Sequence, residues 1–132
     1  MRNSKQKDRG REGATKDICM KQSTINNKLS EAYKKYDAIT PKVCSGCGRN
    51  GQIMHHSHII SQKRCKEIGM PELIYRKTEI GYNFVYDCIE CHAIWEAVKN
   101  PAWKKLNNIF YRNDMLKMFD PEGYQKRCGF VS

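Results

Sequence analysis

Two cysteine pairs, Cys44-Ser-Gly-Cys47 and Cys88-Ile-Glu-Cys91, have the spacing of metal-binding knuckles. Every histidine of the chain lies in or beside the frame they make: His55, His56 and His58 between the pairs, and His92 directly after the second. Four thiolates suffice to close a tetrahedral zinc site, which leaves the imidazoles over. A neutral imidazole can take a proton near neutral pH or ligate a divalent ion. The residue types therefore point to two chemistries, a structural metal held by sulfur and a reactive centre built on nitrogen. The remaining cysteines, Cys19, Cys65 and Cys128, show no spacing pattern and read as ordinary thiols.

These residues need elements to position them. Ile25, Leu29, Tyr33 and Tyr36 recur at helical spacing after a capping Ser23 or Thr24, and Pro41 ends that helix. Cys44 to Gly51 is a glycine-rich tight turn, in which small residues let backbone amides approach sulfur. Gln52 to Ile60 reads as a strand carrying the histidines, and Ser61 to Gly69 as a polar loop or single helical turn. Pro71 to Gly81 is ambiguous, and Tyr82 to Tyr86 is a second short strand by residue type. From Cys88 onward Cys91, Ile94, Trp95 and Val98 share a helical face, which Asn100-Pro101 stops. Trp103, Leu106 and Phe110 continue an apolar stripe that reads as core, and a last segment, Met115 to Phe119, ends at Pro121.

Length and charge set the outer bounds. The 132 residues suit one small domain with extensions, in which a structural metal would matter to stability. Residues 1–22 read as a flexible basic arm, almost without apolar side chains. The net charge of +10 is uneven: +5 over residues 1–28, +1 over 29–96 and +4 over 97–132. A near-neutral metal frame between cationic flanks favours a polyanionic partner, although solvating charge alone would also account for it. Residues 1–27 contain no apolar signal-peptide core, and no apolar run approaches bilayer length. The expectation is a protein of the cytoplasm, in which cysteine pairs bind metal rather than form disulfides, and no membrane partner.

The order histidine strand, loop, asparagine strand, helix with Cys-x-x-Cys-His resembles the HNH endonucleases, also called ββα-metal or His-Me finger nucleases. The matching residues are Cys44 and Cys47, His58-Ile59-Ile60, Asn83-Phe84-Val85 and Cys88 to His92, so the resemblance covers roughly residues 43–96. It implies an α+β fold, a zinc-stapled ββα-metal core within a domain spanning 23–100 that includes the N-terminal helix. Residues 101–132 would then be a basic helical extension. It also implies hydrolysis of DNA phosphodiester bonds to 5′-phosphate and 3′-hydroxyl ends. His58 would be the general base, Asn83 would brace its backbone, and His92 would hold a catalytic magnesium, manganese or zinc ion. Cys44, Cys47, Cys88 and Cys91 would hold the structural zinc. The substrate could be duplex or branched DNA, the setting a bacterial or phage-infected cell, and two nicks in a duplex would call for a homodimer or two sequential events.

One position departs from the pattern. Ser57 stands where many members carry Asp, Glu or His as a metal ligand. His56, two residues before His58 on a strand, would share its side and could reach the metal. His55 stands three residues before it, as in a variant seen in phage recombination nucleases, or faces solvent. A shifted register would instead make His56 the base and His55 the ligand. The rival reading, favoured by Ser57, is a zinc-dependent nucleic-acid-binding module without catalysis, and RNA is an alternative substrate to DNA. Glu96, four residues past His92, is either a solvated helix residue or a support for that imidazole.

Overall fold

The structure is a computed structural model that describes residues 20–131; the expected arm over residues 1–22 falls mostly outside them. It is a mixed helix-and-sheet chain with one small two-stranded sheet. Among the described residues no helix is long and apolar enough to cross a membrane.

Helix α1, Gln22–Ile39, buries Ile25, Leu29 and Ala32 along one stripe. It starts at Lys21 with no side-chain cap, so neither Ser23 nor Thr24 opens it as expected. Thr40 is extended, as the following Pro41 requires. The chain then makes the first cysteine knuckle and enters strand β1, His55–His58. β1 is shorter than the expected 52–60 and pairs antiparallel with β2, Phe84–Asp87, in the register His55↔Asp87, His56↔Tyr86, Ser57↔Val85 and His58↔Phe84. Between the strands lie α2, Gln62–Glu67, capped by the Ser61 side chain, and a tight 3-10 turn over Pro71–Ile74. Helix α3, Ile89–Glu96, follows β2 with only Cys88 between.

Strand alternation divides the sheet into two faces. His56, His58, Phe84 and Tyr86 face α1, whose Tyr33 and Tyr36 rings stand 4.9 and 5.1 Å from Phe84. His55, Ser57, Val85 and Asp87 face the other way, towards α3 and helix α4, Ile109–Phe119. The Trp95 indole of α3 donates to the Ile59 carbonyl at 3.1 Å, fastening the helix to the end of β1.

The C-terminal third contributes to the same apolar cluster through Trp103, Leu106, Met115 and Leu116. A buried ion pair, Arg112 Nη2 to Asp87 Oδ1 at 2.6 Å, ties α4 to β2. Pro121 does not end the structure as the sequence predicts. It opens α5, Pro121–Val131, consistent with proline's fitness for a first helical position. Phe110, expected in the core, is 80% exposed, because the inward face of α4 is taken by Arg112, Met115 and Leu116.

Candidate metal centre and active site

The two knuckles meet at one end of the sheet, where the start of β1 pairs with the end of β2. Cys44 and Cys47 lie in a turn whose Ser45 amide bonds to Tyr86 O, while Cys88 and Cys91 open α3. All four Sγ atoms lie within 4.8 Å of one another. The Cys47–Cys88 separation of 3.8 Å matches the edge of a sulfur tetrahedron with metal bonds of about 2.3 Å. The donor set thus fits a metal such as zinc. Gly46 has to be small here, since a Cβ would meet Cys91 Sγ at 2.8 Å and Leu106 Cδ2 at 3.0 Å.

Arg49 completes the knuckle. Its Nε donates to Cys47 Sγ at 3.2 Å, and its Nη2 donates to Cys88 Sγ at 3.3 Å and to Glu90 at 3.2 Å. The guanidinium beside Cys47 draws that thiol down to about 6. Burial instead pushes the Cys88 and Cys91 thiols up in the metal-free chain, an opposition that a cation among four thiolates would relieve.

His58 ends β1, largely enclosed. Its Nε2 lies 2.9 Å from the Ile74 carbonyl. A carbonyl oxygen only accepts, so Nε2 carries the proton and Nδ1 keeps its lone pair. Burial lowers the His58 pKa, and any charge on His56 or His92 pushes the same way. The result is a neutral imidazole with one basic nitrogen. Asn83, fully buried, braces the backbone just beyond: its Oδ1 accepts from Ile60 N at 2.8 Å and its Nδ2 donates to Ile60 O at 2.8 Å. The Asn83 carbonyl also accepts from Ile59 N at 3.0 Å.

His92 lies on the first turns of α3. Its Nε2 is 3.3 Å from Glu96 Oε2, so Glu96 supports this imidazole rather than standing apart in solvent. Its Nδ1 is buried with no hydrogen-bond partner. The ring beside it belongs to His55, with centroids 5.7 Å apart and planes 24° apart. His56 is elsewhere. It stacks on Tyr33 at 3.8 Å and meets Asp37 at 2.8 Å, on the α1 face. The expectation that His56 shares the side of His58 agrees with this placement, but the expectation that it joins His92 at a metal does not. Alternation with period two puts His55, not His56, on the side of α3. Ser57 shares that side, buried, its Oγ without a partner, like Asp87 Oδ2.

Among the described residues the four cysteines form the only cluster of three or more metal-ligating side chains. His58 and Glu96 both line one cavity of about 680 Å³, and His92, paired with Glu96, lies near enough for any charge on it to bear on His58. Sequence reasoning missed Arg49, Asp37 with Tyr33, the Asp87–Arg112 pair and Arg127. Only Arg49 had a signal, its place two residues after a knuckle.

Compared with known proteins, the chain matches no family profile, no curated protein and no solved structure. What stands on the geometry is a helix-and-sheet chain with four cysteines placed to hold a metal such as zinc.

Proposed function

We propose that the chain is a metal-dependent HNH-type endonuclease that hydrolyses DNA to 5′-phosphate and 3′-hydroxyl ends, with β1, β2 and α3 as its ββα-metal core. The observation that carries this reading is the His58 imidazole, neutral, braced through Asn83 and with Nδ1 left as the basic atom. The strand, strand, helix order around it, with His92 on the helix, supports the same reading.

In this mechanism His58 Nδ1 takes a proton from water, and the resulting hydroxide attacks phosphorus as the bond to the 3′ oxygen breaks. The leaving oxygen is protonated from solvent. A divalent ion held by His55 and by His92 Nδ1 would supply Lewis-acid stabilisation of the phosphate and the leaving oxygen. Glu96 would fix the His92 tautomer that turns Nδ1 inward. The cationic flanks would grip phosphates, giving salt-sensitive binding with little sequence preference. Two such chains, or two successive visits, would sever a duplex.

A second reading, a zinc-dependent nucleic-acid-binding module, is favoured by the lack of a third ligand beside His55 and His92 among the described residues. A nicking assay on supercoiled and branched DNA with magnesium, manganese or zinc, paired with metal counting, separates the two. The nuclease should nick, lose cleavage by at least about a hundredfold in His58→Ala, and lose a second divalent ion but keep its zinc in His55→Ala and His92→Ala. Equal cleavage by His58→Ala and wild type sinks the assignment.

A further inference from the structure

Helix α5 carries an arginine that the proposed chemistry does not use. Arg127 is only 8% exposed, although α5 is a surface helix. Its guanidinium lies 3.7 Å from the Trp95 ring and 5.0 Å from that of Trp103. Nη1 donates to the Trp95 carbonyl at 3.1 Å, near the C-terminal end of α3. That bond accounts for one donor of five; among the described residues the others have no protein acceptor and no carboxylate pairs with the charge. The second guanidinium over Trp95, that of Arg112 at 5.0 Å, has Asp87 as its counter-ion. Among the described residues Arg127 has none and is repelled by Arg112, so burial and that repulsion lower its pKa to about 10, still charged at neutral pH.

Arg127 lines the cavity of about 680 Å³ into which His58 also opens. Four carboxylates line it too, together with the cations Arg64 and Lys126, and each of the four has a partner. Arg64 holds Asp120 at 2.9 and 3.0 Å, Glu122 at 2.9 Å and Glu67 at 3.6 Å. Glu96 is with His92 at 3.3 Å. Much of the remaining wall is apolar, including Ile60, Trp95, Val98 and Leu116. A buried cation without a counter-ion is costly, and a protein that keeps one facing a cavity is prepared for an anion.

We propose that Arg127 is a phosphate-binding subsite, which takes a backbone phosphate of the nucleic acid strand next to the one presented to His58. The identity of that phosphate rests on the endonuclease reading. The guanidinium fork offers paired donors to two phosphate oxygens, and the apolar wall offers a surface for the attached sugar and base. Arg127 would thus position the strand without touching the reacting atoms.

The test uses the full chain, zinc-loaded, with no added magnesium or manganese. Trp95 and Trp103 are the only tryptophans of the sequence and both flank Arg127, so their emission reports occupancy directly. A short single-stranded thymidine oligonucleotide should give a saturable emission change in wild type and in His58→Ala, with inorganic phosphate competing. Arg127→Gln, checked by zinc content and circular dichroism, should bind at least about tenfold more weakly. If that variant does not fold, Arg127→Lys keeps the charge without the fork and should bind several-fold more weakly. Unchanged affinity in the folded variant, no saturable response to the oligonucleotide in wild type, or failure of inorganic phosphate to compete would each overturn the proposal. The measurement involves no turnover, so the nicking assay with His58→Ala judges the endonuclease reading separately.

Discussion

His58 and His56 stand two residues apart on the same face of one strand, and their surroundings set them to different tasks. His56 stacks on the Tyr33 ring and meets the Asp37 carboxylate at 2.8 Å. His58 is enclosed, its Nε2 committed to a carbonyl, and its pKa lowered by burial. The sign of that shift has a kinetic consequence. A general base works only unprotonated, so a lowered pKa keeps it active to more acid pH. The acid limb of the single-turnover rate should therefore have its midpoint below the ordinary histidine value of about 6.5. A midpoint at or above that value would show that another group is the base. The residue types, and the pairing of His58 with Asn83, were legible because both lie in short, marked motifs. Which of His55 and His56 approaches His92 was not, since it depends on where strand pairing starts and hence on which face each side chain takes. Asp37, 19 residues from His56, offered no local sign of its partnership.

At the scale of elements, the knuckle turn and the N-terminal end of α3 form one unit. The cysteine spacing made it readable, since tight turns with small residues serve metal sites in a recognisable way. The tolerance of the packing was not readable. Gly46 has ordinary backbone geometry, and what demands a glycine there is the approach of Cys91 and Leu106 from distant parts of the chain. Gly46→Ala should cost about 1–3 kcal/mol of stability and speed zinc release to a chelator, both measurable on the purified chain. An alanine variant as stable as wild type, with unchanged release, would show that the α3 knuckle yields freely. Helix α5 illustrates the opposite failure of sequence reading. Pro121 looks like a terminator by type, yet the same ring that stops one helix starts another.

For the whole molecule, the buried Asp87–Arg112 pair decides whether the C-terminal third is an appendage or part of the fold. Both side chains are fully buried, and among the described residues each is the other's ion-pair partner. Arg112→Ala would strand the Asp87 carboxylate beneath α4 and should destabilise the chain by about 3–5 kcal/mol. Replacing both, as Asp87→Asn with Arg112→Met, should recover much of that loss. Thermal unfolding of the single and double variants reads this directly, and equal losses in both would mean that the charges are not coupled. The resemblance leaves residues 101–132 outside the expected nuclease domain, as a basic helical extension. The apolar residues Trp103, Leu106, Met115 and Leu116, which join them to the core, carry no mark of the partners they meet.

The Arg49 clamp also ranks the thiols by reactivity. In the metal-free chain Cys47 is the half-exposed thiolate, drawn down to about 6, whereas Cys65 is enclosed, its thiol pushed up to about 12 by burial. An electrophile or peroxide meets Cys47 as a ready nucleophile and Cys65 as an inert hydrocarbon-like group. The guanidinium that steadies the loaded knuckle thus makes the empty one perishable: oxidative damage would enter at Cys47 and remove a metal ligand before it touched the apolar interior.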